Sequence, residues 1–384
     1  MQKFLGLALA FLALPALAGI GTASAQEKVI RIPFATAFSG PVIAFGERLW
    51  RGGQLALEEV NQTGVRGGMK LEFYKVDSRS PETAPIITEY RRACADEDIP
   101  LFLVNISSKQ LFALYEYAKA CNMPTFAPTS GAHWVFPDHG KWIYRFLPTP
   151  NLIQAALYKK VKEVLDPKTA IASFTIDDDF TFFNMKQARM HLADNDIEIV
   201  DDLGSKRQET NFASQVAAVR AKRADIIVLS HQPDDGGKFI KQVRDRGIKT
   251  QVTDTGYTIV GRDYWDLSAG TGIGSVGGAN YTSEDERPIV QNWIKLWRER
   301  TGMTDQDPDA YETATYDAVK MLAVVLDKAE SLSREDIAAS FMNIQEMEFI
   351  TGVGSYRTED LPDMYRSEAV LVQLGEGGRL LPWP

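Results

Sequence analysis

The sequence predicts an α/β protein built from parallel sheets with helices on both faces. Three observations predict it. Short apolar runs alternate with segments of helical periodicity from residue 29 onward, the layout of strand–helix–strand units. The alternation falls into two series of similar size, the second starting near Pro148. No low-complexity linker separates them and no short-period repeat is visible, so two similar lobes account for the length better than a repeat array does.

The elements follow in order. In the first series, 29-VIRIPFATAF-38 reads as a buried strand. The helix after it carries Leu49, Gly53, Ala56 and Val60 on one face, at spacings of four, three and four. Strand 70–77, helix 84–96, strand 100–106, helix 109–120 and the short strand 124–128 complete the series. The second series runs helix 151–165, strand 169–176, a helix over about 183–194 and strand 196–202. A helix with Phe212, Val216 and Val219 on one face comes next, then strand 225–231, helix 236–246 and strand 250–256. Two helices return late, over 287–300 and 310–328, the second with Ala314, Ala318, Met321 and Val325 inward. A last strand is expected at 368-EAVLVQL-374.

The first residues read as an export signal. Lys3 gives a short positive start, Phe4 to about Ile20 is apolar, and Ala23-Ser24-Ala25 is a small-residue cleavage site. Cleavage is expected after Ala25, leaving 384 − 25 = 359 residues in a soluble, exported, periplasmic protein. No cysteine lies near that point to carry a lipid, and no later run reaches the ~18 apolar residues of a membrane span. Losing Lys3 moves the net charge from −9 to −10. An acidic chain without a basic run argues against nucleic acid as a partner. Cys94 and Cys121 are the two cysteines. In an oxidising compartment they are expected to pair, and closing a loop of that length stabilises by ~3 kcal/mol.

The motifs of catalysis are weak. The segment 272-GIGSVG-277 matches G-x-G-x-x-G, but a strand-like 277–281 follows where the dinucleotide fingerprint needs a helix. Neither a phosphate-binding G-x-x-x-x-G-K-[ST] nor a G-x-S-x-G elbow is present. His133, His139, His191 and His231 lack the i, i+4 spacing of a zinc helix. The stretch 173-SFTIDDDFTFF-183 offers three aspartates at a strand end. A secreted metal-dependent hydrolase built around Asp177, Asp178 and Asp179 would need further oxygen ligands converging on them. Turn formation and charge at a helix start explain them more simply. Neither a metal nor a cofactor is expected.

Several segments together carry a resemblance. The run 36-TAFSGPVIAFGERLWRGGQLALEEVNQTG-64 is similar to the opening of type I periplasmic binding proteins of the leucine/isoleucine/valine class. So are 77-DSRSPETA-84, 105-NISSKQ-110, 124-PTFAPTSGA-132 and 210-TNFASQVAAVRAKRADIIVLS-230, in the same order. Regulators of the lactose-repressor type share this core, but they carry a DNA-reading helix pair where this chain has its signal. The resemblance implies two Rossmann-like lobes joined by a three-crossover hinge, with the ligand cleft between them. Lobe one would be 27–148 plus 282–350, and lobe two 149–281 plus 351–384. It implies a non-catalytic, monomeric component of an ABC importer that hands a small organic ligand to an inner-membrane permease.

By the same resemblance, Phe45 would wall the cleft. Ser107 and Ser108 at a helix start, with Thr129, Ser130 and Gly131, would hold a carboxylate. Phe180 would lie over the ligand, His231 would sit at a second pocket position, and Tyr311 would close the apolar side. One position departs from the pattern. Amino-acid binders of the class carry an acid after strand 250–256 to pair with the ligand ammonium, and here Gly256 and Tyr257 stand there. An unpaired buried ammonium costs ~3–5 kcal/mol, against ~0.8 kcal/mol for a methylene of fit. Either Asp254 or one of Asp177, Asp178 and Asp179 replaces that acid, or the ligand is an aromatic or branched acid without an amine. The expected solute is therefore a hydrophobic amino acid or a related small carboxylate.

Overall fold

The computed structural model describes residues 28–131, 142–148, 150–356, 364–366 and 370–383. The signal segment, His133, His139 and residues 368–369 of the expected last strand lie outside the described residues.

The first series builds β1 (Val29–Thr36), α1 (Ile43–Thr63), β2 (Lys70–Asp77), α2 (Ala84–Cys94), β3 (Phe102–Val104), α3 (Ser108–Ala120), β4 (Thr125–Ala127) and β5 (Ile143–Arg145). The second builds α4 (Pro150–Leu165), β6 (Thr169–Thr175), α5 (Asp179–Asp194), β7 (Glu198–Ser205), α6 (Ala213–Lys222) and β8 (Ile226–Ser230). It continues through α7 (Pro233–Asp245), β9 (Gln251–Asp254), α8 (Arg262–Leu267) and β10 (Val276–Ala279). Then come α9 (Pro288–Thr301), α10 (Ala310–Lys328), α11 (Arg334–Met342) and strands β11 (Met347–Phe349), β12 (Gly352–Tyr356) and β13 (Met364–Arg366). The described chain ends with β14 (Val370–Leu374) and β15 (Leu380–Pro382).

One sheet has the order β2-β1-β3-β4-β5 and is parallel throughout. The other has the order β15-β14-β10-β9-β8-β6-β7, parallel from β10 to β7 with the last two strands antiparallel at the edge. Both sheets are buried in their middle: Ile32, Phe34, Leu103 and Val104 in one, and Ile227, Val228 and Leu229 in the other, are fully covered. This is why the middles of those strands are apolar. In each sheet the chain reverses its lateral direction once, between β1 and β3 and between β6 and β8. Loops diverge at such points and leave a crevice at the carboxyl ends of the strands.

Local chemistry moves two helix starts from their expected positions. Helix α5 begins at Asp179 rather than near 183, because Asp178 accepts a hydrogen bond from the Thr181 N–H at 3.0 Å and caps it. Helix α7 begins at Pro233, with Asp234 and Asp235 in its first turn, and so contains the Gly236-Gly237 pair where its start is expected. A Cβ on Gly237 would lie 2.8 Å from the Tyr264 carbonyl oxygen, so that glycine lets α8 pack directly on α7. Helix α11 has no counterpart among the expected elements, although Ser333 caps it through the Asp336 N–H at 3.2 Å.

Strands β11, β12 and β13 form a small antiparallel sheet. Tyr356 packs edge-on to Tyr144 and Phe341, and its hydroxyl donates to the Arg145 carbonyl at 2.8 Å. Residues 352–356, expected in the second lobe, thus lie against the first sheet, because burying Tyr356 there satisfies both its ring and its hydroxyl. Cys94 and Cys121 form a disulfide, with Cα atoms 5.7 Å apart, tying the ends of α2 and α3.

Candidate ligand-binding cleft

The loops at the two reversal points line one cleft of about 850 Å³, its open mouth included. The first sheet contributes Thr36 and Ala37 after β1, Val42 and Phe45 at the start of α1, Ser78, Ser80 and Pro81 after β2, residues 105–108 between β3 and α3, and Thr129. The second contributes Asp178 and Phe180, Arg207 and Gln208, residues 232–234, and Asp263. Tyr311, in the first turn of α10, completes the wall.

The start of α3 opens on the cleft. Ser107 is extended and caps the helix by accepting from the Gln110 N–H at 3.3 Å. The buried Gln110 side chain in turn donates to the Ser78 and Glu82 carbonyls at 2.8 and 2.5 Å, fixing the helix start against the loop after β2. Ser108 is the first helical residue, and the thirteen-residue helix directs its N-terminal N–H groups and positive dipole end at the cleft. Thr129 stands beside them, its hydroxyl donating to Asn105 Oδ1 at 3.2 Å.

Aromatic rings form the apolar part. Phe45 and Tyr311 meet edge to face with centroids 5.1 Å apart. Tyr311 is fixed by its hydroxyl, which donates to the Tyr257 carbonyl at 2.8 Å. Phe180 is buried in the first turn of α5 and faces the cleft from the other sheet. These placements bring six of the expected residues together: Phe45, Ser107, Ser108, Thr129, Phe180 and Tyr311.

The other expected residues lie behind the wall. Ser130 is buried and its hydroxyl donates to the Ile106 carbonyl at 2.9 Å, bracing the 105–108 loop. Gly131 backs the Phe180 ring, which a Cβ there would approach to 3.2 Å. His231 is enclosed between the Phe212 and Phe239 rings, with Nε2 2.8 Å from Ser173 Oγ and Nδ1 2.9 Å from Thr175 Oγ1. Burial, reinforced by nearby Arg207, pushes its pKa down to about 3, so the ring is neutral. It holds strands together, and the next residues, 232–234, reach the cleft in its place.

Asp254 is likewise withdrawn. Its Oδ1 accepts from the Gly256 N–H at 3.0 Å, and its Oδ2 from the Thr258 and Ile259 N–H groups at 2.9 and 3.1 Å. Burial raises its pKa to about 6 against these bonds. The carboxyl knots a tight turn in which Gly256 (φ 101°) and Tyr257 (φ 73°) are left-handed. Tyr257 is buried there, with its hydroxyl donating to the Pro148 carbonyl at 3.1 Å. None of the three lines the cleft.

Among the described residues, four charged ones line the cleft, the expected candidate Asp178 and three that were not expected there, Arg207, Asp234 and Asp263. Arg207 holds Asp234 through contacts of 3.0 and 2.9 Å and also binds Asp235, with Lys238 3.4 Å from Asp235. Burial opposes its charge, but the two aspartates outweigh that and keep its pKa above the ordinary value. Arg48 on α1 reaches Asp263 on α8 at 2.6 Å and the α10 cap Asp309 at 3.1 Å, joining elements of both sheets. Asp178 differs from Asp234 and Asp263: among the described residues it makes no ion pair. It accepts from Thr181 and, at 3.3–3.4 Å, from the Gln232 amide. Burial raises its pKa.

The three consecutive aspartates are spread over separate tasks. Asp177 accepts from the Arg207 N–H at 2.7 Å, Asp178 caps α5, and Asp179 is in that helix's first turn. Among the described residues no group of three or more His, Cys, Asp or Glu is gathered to hold a metal ion.

Comparison with known proteins matches residues 29–366 to the family model described as periplasmic binding protein. The Leu/Ile/Val-binding protein homolog 7 of Brucella abortus is 22% identical, over 92% of this chain and 90% of its own. Among solved structures, the branched-chain amino acid transporter substrate binding protein LivJ of Streptococcus pneumoniae, in complex with isoleucine, superposes with a TM-score of 0.80. It shares 19% identity, over 92% of this chain and 98% of that one. The solute binding protein of an ABC transporter from R. palustris, in complex with benzoate, also gives 0.80, at 17% identity and with 92% and 95% coverage.

Proposed function

We propose, from the premise that the chain belongs to the family of periplasmic binding proteins, that it captures an α-amino acid with an apolar body for an ABC importer. One observation carries the choice of ligand. A helix N-terminus flanked by Ser107, Ser108 and Thr129 lies on one side of the cleft, and Asp178, an aspartate without an ion pair among the described residues, lies on the other. These are the separated charges that a zwitterion complements. The carboxylate goes to the start of α3 and the ammonium to Asp178, which takes over from the acid absent at Gly256. Phe45, Phe180 and Tyr311 cover the apolar part.

The lobes of this reading are residues 27–148 with 282–350 and residues 149–281 with 351–384, the strand 352–356 riding on the first. Because both lobes supply contacts, ligand binds the closed arrangement best and shifts the population toward it. The protein acts as a monomer in the periplasm after loss of residues 1–25, and an inner-membrane permease reads the closed form. A second reading, a branched or aromatic acid without an amine, is favoured by Gly256, and a relative of this fold holds benzoate.

A thermal-shift panel without added metal tests the proposal, using leucine, isoleucine, valine, phenylalanine, small amides, urea, and benzoate- and cinnamate-type acids. A ligand at a hundred times its Kd stabilises by roughly 2.7 kcal/mol. Saturable shifts with free amino acids are the expected result. Shifts confined to the aromatic acids give the cleft to the second reading, and a panel without any carboxylate hit sinks both.

A further inference from the structure

The cleft floor on the first-sheet side is more polar than an aliphatic side chain requires. Thr36 ends β1, Ser78 follows β2 and Asn105 follows β3, and the three strands are neighbours in the order β2-β1-β3. The registers pair Thr36 with Asp77 and Ala35 with Val104, which brings the three residues side by side with Thr36 in the middle. All three line the cleft and are buried, at 1%, 0% and 2% exposure. Yet Thr36 Oγ1, Ser78 Oγ and Asn105 Nδ2 have no hydrogen-bond partner among the described residues. The other end of the Asn105 amide is held by Thr129.

Buried polar side-chain atoms are nearly always paired in folded proteins, so three orphans at adjoining strand ends call for an explanation. Their position supplies one. The anion-ready start of α3 and Thr129 follow β3 and β4, so the floor runs away from that site toward β1 and β2. A ligand anchored by its carboxylate at α3 extends its side chain over the floor.

We infer that this floor is a subsite for a second polar group of the ligand, so that the solute is a carboxylate whose side chain carries a hydroxyl, carbonyl or carboxamide. The inference rests on the carboxylate-binding reading of the cleft given above. Two hydroxyls offer both donors and acceptors and the Asn105 amide offers donors, a set that fits an oxygen atom of the ligand. Val42, Phe45 and Pro81 keep the surroundings apolar. An aliphatic side chain in that place leaves all three groups unpaired. A site built to hydrogen-bond a substrate oxygen rejects the analogue lacking it far more strongly than an apolar pocket senses a methylene.

Titration calorimetry with near-isosteric pairs tests it: valine and threonine, leucine and asparagine, phenylalanine and tyrosine, benzoate and 4-hydroxybenzoate. In the best-bound pair the polar member is expected to bind at least tenfold more tightly to the wild-type protein. Thr36→Val, which keeps the shape of the strand end, and Asn105→Leu should each cut that preference at least fivefold, with the apolar member gaining affinity. Circular dichroism and melting check both variants, and Thr36→Val alone suffices if Asn105→Leu does not fold. An apolar member bound as tightly as its partner by wild type overturns the subsite and leaves the carboxylate reading standing. A preference that survives both substitutions overturns it too. If no member of any pair binds, the carboxylate reading falls and the subsite with it.

Discussion

Replacing Asp178 by Asn separates its proposed role as ammonium partner from its role in the fold. Asn caps helices about as well as Asp, so the bond from the Thr181 N–H at 3.0 Å and the start of α5 are retained. What disappears is the negative charge, the one cleft aspartate without an ion pair among the described residues. Truncating one partner of a desolvated charge pair at a binding site costs about 2–5 kcal/mol. Asp178 is only partly buried in the structure, so a figure of about 2–4 kcal/mol is appropriate, or roughly 30- to 700-fold in Kd. The assay is titration calorimetry of wild type and Asp178→Asn with the amino acid that the thermal panel identifies and with its amine-free counterpart. Wild type should prefer the amino acid, and the variant should lose that preference mainly through weaker binding of the amino acid. Unchanged affinity for the amino acid, within threefold, in a variant with an unchanged melting temperature would refute the assignment. It would mean either that another group meets the ammonium or that the ligand has none.

Two further outcomes follow from buried charge. His231 has its pKa lowered from 6.5 to about 3 by burial. The unfolded chain therefore binds the extra proton between those values, and the neutral ring's contribution to stability is lost as pH falls below 6.5. The loss is about 1.4 kcal/mol per unit, or roughly 2 kcal/mol by pH 5. Measured by denaturant unfolding, His231→Gln should lose less stability than wild type between pH 7 and pH 5, and a pH-independent difference between the two would sink the prediction. Arg48→Met strands Asp263 and Asp309, both within 3.1 Å of the lost guanidinium. The expected cost is about 3 kcal/mol, and Arg48→Lys should recover little of it because one ammonium cannot reproduce the two-sided fork. A lysine variant as stable as wild type would contradict that geometry.

The residues that were legible are those whose role is local. Ser107 at the start of α3 and Phe180 behind its aspartates, both named through the resemblance, sit where a strand hands over to a helix, which brings them to the carboxyl ends of the strands. Asp177, Asp178 and Asp179 were by contrast equal candidates, and only the structure puts Asp178 both at the α5 cap and on the cleft wall. His231 illustrates the opposite failure. It sits one residue beyond β8, but its ring is drawn between Phe212 and Phe239 and bonded to Ser173 and Thr175. Gln232 and Asp234 reach the cleft instead. Asp254 is taken out of play by three backbone N–H groups that exist only because the chain turns sharply through Gly256 and Tyr257.

By itself the sequence determined the alternation of strands and helices, the two series, and the serine-capped helix start after β3. These depend on hydrophobic period, capping residues and turn chemistry within a few positions. Only the tertiary structure decided which carboxylates are spent. Arg207 with Asp234 and Asp235, and Arg48 with Asp263 and Asp309, pair residues far apart in the chain. They leave Asp178 as the cleft aspartate without an ion pair among the described residues, the observation on which the proposed ammonium contact rests. The side-by-side arrangement of Thr36, Ser78 and Asn105 has the same origin, since strand order in a sheet is set by crossovers and not by distance along the chain.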